Sequence, residues 1–352
     1  MRLCFLGDAG SIHLQRWLTY FANAGYEVHV ISFRPSTNPV SGVTEHLLAS
    51  GRSGRFAYLK GIAKIHKLVN NIRPDILHAH YATSFGLLAV FSGRHPLVVS
   101  AWGSDVLVAP EQSFWLRNIV QYVLRAADAL TSDSAYMSLR MEKLLQGKKK
   151  RLLTVTMGVS REWFASIPET DKHPWQIVSL RGHLKIYNID VIIRAMATVV
   201  KIVPQAKLVL AGEGPLTSSL NSLTHSLGLE HAIEFVGQLP HARVQAYLNE
   251  SAVSVSVPSS DATAVSLLET MACGSFPVLS DVPANREWIE DEVNGLIVPS
   301  GDAHALALAL IRSLQDSALR EKAIAVNREK IRAKAIWEDN MAEVEALYRP
   351  LI

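Results

Sequence analysis

A chain of 352 residues is too long for a single hydrophobic core and fits two α/β domains of roughly 150 to 170 residues each. Hydrophobic residues at 49% against 19% charged exclude a disordered chain, and no apolar run approaches the ~18 residues of a membrane span. The net charge of +3 conceals two opposed halves: residues 1–160 carry 18 Lys and Arg against 9 Asp and Glu, and residues 161–352 carry 17 against 23.

The strand Leu3 to Leu6 supplies only four apolar residues before Gly7 and Asp8, too few for the apolar stretch of a signal peptide, so a cytoplasmic protein is expected. A Gly7-Asp8-Ala9-Gly10-Ser11 turn follows. In the next helix Leu14, Trp17, Leu18 and Phe21 fall on one apolar stripe, and Gly25 ends it. With a second strand, Glu27 to Ser32, this is a β-α-β unit that opens a parallel sheet. Further strands are predicted at Ile76 to His80, Leu97 to Ala101, Ala129 to Ser132 and Leu152 to Met157, bracketed by helices such as Ser134 to Gln146.

The alternation restarts after the polar stretch Glu169-Thr170-Asp171-Lys172-His173-Pro174, in a linker near residues 160–174. Strands are predicted at Ile177 to Leu180, Lys207 to Ala211, Ile233 to Val236, Val253 to Val257, Phe276 to Leu279 and Leu296 to Val298. Helices fall between them at about Asn188 to Ile202, Leu216 to Leu227, Ala242 to Asn249 and Val265 to Ala272. The expected architecture is therefore α/β: two Rossmann-like, doubly wound parallel-sheet domains, 1–165 and 175–335, facing across a cleft. A ligand is expected at the carboxyl ends of their strands. The helical segment from Ile336 to Tyr348 is expected to cross back onto the first domain. Cys4 and Cys273, the only cysteines, read as two buried thiols with no disulfide.

The basic half suits a polyanion. Without zinc-ligand spacing or an aromatic RNA-binding signature, anionic membrane lipid is preferred to nucleic acid. Lys60, Lys64, Lys67 and the run Lys148-Lys149-Lys150-Arg151 supply much of the charge; they read either as solvated faces or as lipid contacts.

The Gly7 to Gly10 turn is not the G-x-G-x-x-G of a dinucleotide fold, and Val30-Ile31-Ser32-Phe33 offers no acidic residue for a ribose, so a nicotinamide enzyme is not expected. The turn either presents N–H groups, that of Gly10 among them, to a phosphate oxygen at a helix N-terminus, or is a tight turn and no more.

The most informative stretch runs from Pro258 to Gly274, immediately after an apolar strand. Asp261 lies in the strand-to-helix loop and Glu269 on the following helix, with seven residues between them. Small residues leave the amides of Thr263, Ala264, Val265 and Ser266 at a helix N-terminus, where a diphosphate is held by hydrogen bonds and the helix dipole. The plainer alternative is that Asp261 caps the helix and Glu269 is a solvated charge.

This segment resembles the signature of the family-4 retaining glycosyltransferases of the GT-B fold: a Pro-Ser-x-x-Glu-Gly-Phe-Gly stretch running to Leu-Glu-Ala-Met-Ala-x-Gly. It departs from that pattern by Asp261 for the first Glu and Ala264 for a Gly. The resemblance implies that Asp261 holds the donor sugar, Thr263 to Ser266 the diphosphate and Glu269 the ribose hydroxyls. Leu210-Ala211-Gly212-Glu213-Gly214-Pro215 and Phe235-Val236-Gly237-Gln238-Leu239-Pro240 are similar to the family's nucleotide-side loops, with Gly237 and Leu239 near the base. Asn294 to Pro299 resembles its last strand. In the first domain, His78 to Tyr81, Trp102 to Asp105 and Gly158-Val159 recur in the family's order.

By the same resemblance Arg181 grips the diphosphate and stabilises it as leaving group. Where the family has Lys-Gly this chain has Tyr187-Asn188. Either Lys185 supplies the second cation, or Arg181 acts alone with Tyr187 as a neutral donor. Trp102 stands where the family often has His, and offers an apolar face for a pyranose together with one N–H. Asp105, His80 and His13 are the acceptor-side candidates. His78 and His80 are expected to point to opposite sides of their strand, and no third ligand accompanies them as a metal pair.

No Asp-x-Asp occurs, so no metal and no cofactor are expected. The function implied is retaining transfer of a sugar from a nucleotide diphosphate sugar, with uridine expected, to a glycan or glycolipid acceptor of cell-envelope synthesis. The protein would be peripheral on the inner face of the cytoplasmic membrane. A sugar-nucleotide epimerase of the same architecture and a non-catalytic nucleotide-sugar binder are the alternatives.

Overall fold

The computed structural model describes residues 1–48, 55–165 and 172–352, with side chains omitted over residues 55–60. Glu169 to Asp171 of the expected linker and the side chain of Lys60 lie outside the described residues. The chain divides into two compact units, one formed by Met1–Met157 with Glu338–Ile352 and one by Gly158–Trp337.

The first unit runs β1 (Arg2–Leu6), α1 (Ile12–Asn23), β2 (Glu27–Ser32), β3 (Val43–Leu47), α2 (Arg55–Ile72), β4 (Ile76–His80), α3 (Phe85–Ser92), β5 (Leu97–Ser100), α4 (Ser104–Leu107), α5 (Ala109–Gln112), α6 (Phe114–Ala126), β6 (Ala129–Ser132), α7 (Ala135–Leu145) and β7 (Arg151–Thr154). Its seven strands are parallel in the order β3-β2-β1-β4-β5-β6-β7. Every residue of β4, β5 and β6 is buried, as parallel strands covered on both faces require. The α1 stripe is buried at Leu14, Trp17, Leu18 and Phe21.

The second unit runs α8 (Arg161–Ala165), β8 (His173–Ser179), α9 (Ile189–Ile202), β9 (Lys207–Ala211), α10 (Thr217–Ser226), β10 (Ile233–Gly237), α11 (His241–Glu250), β11 (Ser251–Ser256), α12 (Val265–Cys273), β12 (Phe276–Ser280), α13 (Pro283–Trp288), β13 (Leu296–Val298), α14 (Ala303–Gln315) and α15 (Ser317–Lys334). The last helix, α16 (Trp337–Tyr348), belongs to the first unit from Glu338 onward. The second sheet is parallel in the order β10-β9-β8-β11-β12-β13. Both sheets reverse their direction of winding beside their first strand, between β1 and β4 and between β8 and β11, where α/β sheets bind ligands.

Two polar devices fix elements that matter below. Lys172 donates to the carbonyls of Leu248 at 3.3 Å, Asn249 at 2.8 Å and Cys273 at 3.1 Å. One ammonium thus closes the C-terminal ends of both α11 and α12, and burial lowers its pKa to about 8.

In the first unit Tyr348 of α16 meets His78 Nδ1, His78 Nε2 meets Ser100 Oγ at 2.7 Å, and Ser100 Oγ meets Thr131 Oγ1 at 2.5 Å. Burial of His78 lowers its pKa well below that of a free imidazole, so the ring is neutral. One consistent tautomer has Tyr348 donating to Nδ1 and Nε2–H donating to Ser100. Removing the phenol leaves Nδ1 buried without its donor. Tyr348→Phe is expected to lower unfolding stability by about 1 to 3 kcal/mol in urea titration, and a loss under ~0.3 kcal/mol would count against this chain of bonds.

Cys4 and Cys273 are both free and buried.

Candidate active site

At the switch point of the second sheet, the loop after β8 lies beside the loop after β11, and residues 80 apart in sequence meet. Arg181, 9% exposed, donates from Nη2 to Asp261 Oδ2 at 2.8 Å and from Nη1 to Ser266 Oγ at 3.4 Å. Its guanidinium also lies 4.0 Å from the centroid of the Tyr187 ring. Tyr187 therefore serves Arg181 through its π face, a cation–π contact that fixes the plane of the fork. Lys185 is exposed and makes no such contact with Arg181.

Asp261 does not cap the following helix. Its Oδ1 accepts from the adjacent Ala262 N–H at 3.0 Å, while α12 begins at Val265 with Ala264 as N-cap and no side-chain cap. Burial raises the pKa of Asp261 from its usual value; the Arg181 charge and the Ala262 N–H oppose that rise. Ala264 has φ −69°, so a Cβ fits where the family has Gly, without backbone strain.

The α12 N-terminus carries Val265 and Ser266 in its first turn, where N–H groups precede any acceptor within the helix. Trp288 Nε1 sits 3.4 Å from Thr263 Oγ1 and backs this loop. Glu269 is 8% exposed, not a solvated charge, and its Oε1 accepts from His241 Nε2 at 3.0 Å. The imidazole of His241 stacks on Trp163 at 5.5 Å and 26°.

The glycine-rich loops bring backbones together. A Cβ at Gly212 would stand 2.5 Å from the Arg181 carbonyl oxygen and one at Gly214 2.6 Å from that of His183, so only glycine lets the β9 loop lie against the Arg181 loop. Gly237, at φ +70°, accepts from Gly212 N–H at 2.8 Å, and Leu239 follows, half-buried, between β10 and α11. The second unit thus assembles a guanidinium, a helix N-terminus, a half-buried carboxylate at Asp261 and a buried one at Glu269. That is the equipment to hold a diphosphate flanked by hydroxyl-bearing groups.

Residues 2–134 match the family described as glycosyl transferase 4-like, and residues 160–330 match the glycosyl transferases group 1. The chain belongs to the family-4 glycosyltransferases.

It is 24% identical to the N-acetyl-alpha-D-glucosaminyl L-malate synthase of Bacillus anthracis, over 93% of this chain and 90% of that one. It is 26% identical to the phosphatidyl-myo-inositol mannosyltransferase of Mycobacterium leprae, over 92% and 88%. Among solved structures, sucrose-phosphate synthase from Thermosynechococcus elongatus superposes with a TM-score of 0.83 at 19% identity, covering 100% of this chain and 99% of that one. The Anabaena HepE complex with UDP-glucose gives 0.81 at 15%, with full coverage of both chains. The fold of this glycosyltransferase is GT-B, and it is a hexosyltransferase by family.

The transferase's first unit corrects several expectations. His78 and His80 do not point to opposite sides: positions i and i+2 of a strand share a face, and their rings stack at 4.5 Å. His80 is 1% exposed among Phe5, Trp17, His78 and Trp102, and burial lowers its pKa to about 3. It is a neutral core histidine whose Nδ1 accepts from the Trp102 indole and whose Nε2 is buried without a hydrogen-bond partner among the described residues.

Asp105 is fully buried, with Oδ2 accepting from Ala82 N–H at 2.6 Å and Oδ1 from Trp102 N–H at 3.0 Å. It clamps two main-chain segments and is not placed to touch substrate. The Trp102 indole Nε1–H donates to His80 Nδ1 at 3.1 Å, and the indole ring meets that of His13 edge-on at 5.8 Å.

Gly10 also departs from expectation. Its N–H donates to Asp8 Oδ1 at 3.1 Å, Ala9 N–H to Ser32 Oγ at 3.1 Å and Ser11 N–H to the Asp8 carbonyl at 2.9 Å. The turn satisfies its own amides, which is the tight-turn reading. Accessible polar groups at the carboxyl ends of this sheet include Tyr81 and Ser104, whose hydroxyls meet at 2.7 Å, with Tyr81 held at φ +82°.

Sequence reasoning missed His241 and Trp163. Neither belongs to a periodic or spaced pattern; the only signal was that His241 directly follows the nucleotide-side Gly237 to Pro240 loop. Among the described residues no group of His, Cys, Asp and Glu could hold a metal ion, and no helix is long and apolar enough to cross a membrane.

Proposed function

We propose that this glycosyltransferase transfers a sugar from a UDP-sugar to a lipid-linked or polysaccharide acceptor of cell-envelope synthesis, with retention of configuration and without a metal ion. The observation that carries the reading is the meeting of Arg181, Asp261 and Ser266 at the N-terminus of α12, with Glu269 one turn further along the same helix. The first unit takes the acceptor role. Support for uridine comes from the HepE complexes with UDP and UDP-glucose. Support for a lipid acceptor comes from the phosphatidyl-myo-inositol mannosyltransferase relatives.

In this reaction the bond from the anomeric carbon to the diphosphate oxygen breaks, and a bond to the acceptor oxygen forms on the same face. The acceptor proton passes to the departing diphosphate. Asp261 is paired with Arg181 and Glu269 with His241, so neither carboxylate is disposed as a covalent nucleophile. A front-face displacement is preferred, with Arg181 and the helix dipole stabilising charge as UDP departs.

The test is product analysis of a membrane extract supplied with a panel of nucleotide-sugars, with and without EDTA. An α-linked product from an α-linked UDP-sugar, undiminished by chelation, is expected. Inversion, loss of activity restored by magnesium or manganese, or only an epimerised donor would each overturn the corresponding part.

The membrane reading gains a physical feature at α6. Phe114 and Trp115 are 72% and 77% exposed, and the helix carries Arg117 and Arg125 with no acidic residue. Exposed Trp and Phe beside cations suit the headgroup boundary of an anionic bilayer. Binding to anionic vesicles is expected to weaken as salt rises. Changing Phe114 and Trp115 to Ser is expected to weaken it roughly tenfold or more at every salt concentration, and Ser at Lys148 to Arg151 chiefly at low salt. Sedimentation with phosphatidylglycerol vesicles separates the two, and unchanged binding by both variants would remove the membrane assignment.

A further inference from the structure

Glu269 is a buried carboxylate with one oxygen already engaged. A carboxylate can only accept, so His241 Nε2 carries the hydrogen in the 3.0 Å bond to Oε1, whatever the state of Nδ1. The imidazole plane is set by its stack on Trp163, itself 8% exposed at the start of the second unit. The helices that carry the two partners are fixed to each other at their far ends by Lys172, through carbonyls of α11 and α12. Three elements, α8, α11 and α12, thus determine the direction of one carboxylate. Among the described residues Oε2 makes no side-chain ion pair, which leaves it to a second donor.

We infer that His241 is the positioning residue for nucleotide binding: stacked on Trp163, it holds Glu269 Oε1 so that Oε2 faces the ribose diol of the donor. This rests on the assignment of Glu269 to the ribose. A vicinal diol on one carboxylate demands a set orientation about the terminal torsion of glutamate, which is broad and weakly restrained by itself. The hydrogen bond from His241 removes that freedom before the nucleotide arrives, and pre-organisation of this kind lowers the ordering cost of binding. The device is a specificity element, because it acts only on a ligand that has the hydroxyls to bond.

The experiment is calorimetric titration of the full-length protein with UDP and with 2′-deoxy-UDP. Wild type is expected to prefer UDP. His241→Ala is expected to lose roughly 3- to 10-fold in affinity for UDP and little for 2′-deoxy-UDP, so that the preference shrinks. His241→Gln, which keeps an N–H at similar reach, is expected to restore part of it. Equal losses on both nucleotides would mean that His241 only packs, and would overturn the inference. Glu269→Ala separates this from the underlying assignment. If it leaves the preference for UDP unchanged, the ribose reading of Glu269 fails and the inference with it. If it abolishes the preference while His241→Ala does not reduce it, the inference alone fails.

Discussion

Replacing Arg181 by Ala is expected to reduce kcat by about 10²- to 10³-fold, the largest single loss at this site. The guanidinium stands beside the N-terminus of α12, with Tyr187 beneath it and Asp261 and Ser266 at its edge. Charge on the diphosphate grows as the bond to the sugar breaks, so an interaction with that charge is worth more in the transition state than in the ground state. Removing one preorganised donor of this kind costs on the order of 2.7 to 4 kcal/mol.

Arg181→Lys is expected to recover only a minor part, because an ammonium cannot stack on Tyr187 while bonding two partners in a fixed plane. The alanine variant also leaves the half-buried Asp261 without its counter-charge. An Arg181→Ala/Asp261→Ala double variant and a thermal melt separate lost chemistry from lost folding. A well-folded Arg181→Ala enzyme that kept a third of its kcat would remove the leaving-group role.

The sheets were legible because parallel strands covered on both faces read as short, mainly apolar runs between turns, even where a His or a charged first residue interrupts them. Glu27–Ser32, Ile76–His80, Lys207–Ala211 and Leu296–Val298 have the same bounds in the sequence and in the structure. The edge strand Val43–Leu47 escaped, because a half-exposed edge tolerates Thr, Glu and His and carries no such run. The helix Ser317–Lys334 escaped for a related reason: it buries only Ala323, Asn327 and Ile331.

The family was readable in the Pro258 to Gly274 stretch. What the sequence could not give was the state of each polar group. Whether the Gly10 N–H is open depends on which way the Asp8 side chain turns, and whether Asp105 faces substrate or backbone depends on a loop closure between Ala82 and Trp102. The error at His80 was of another kind: strand geometry alone puts it on the same face as His78, and its burial follows from the aromatic residues packed there.

Asp261 and Glu269 are expected to fail in different ways when removed. Glu269→Ala is expected to raise the donor KM more than it lowers kcat, since ribose hydroxyls are bound alike in ground and transition states. Asp261→Asn is expected to fall mainly on kcat, because Asp261 positions the sugar that reacts. Each bond to a charged group is worth about 1.5 to 3 kcal/mol, so each change should cost roughly 10- to 150-fold in kcat/KM.

The ion pair adds a sign to the second case. In the resting protein Arg181 is partly neutralised by Asp261 at 2.8 Å. The amide of Asp261→Asn takes away that charge while keeping the shape, so the guanidinium is left more positive toward a diphosphate. UDP should therefore bind the Asn variant at least as tightly as wild type while turnover falls, and product release should slow. Steady-state kinetics for both variants, with UDP inhibition constants measured alongside, checks the split. If Asp261→Asn kept full turnover while Glu269→Ala left UDP binding untouched, the two acids would be structural and both assignments would have to be withdrawn.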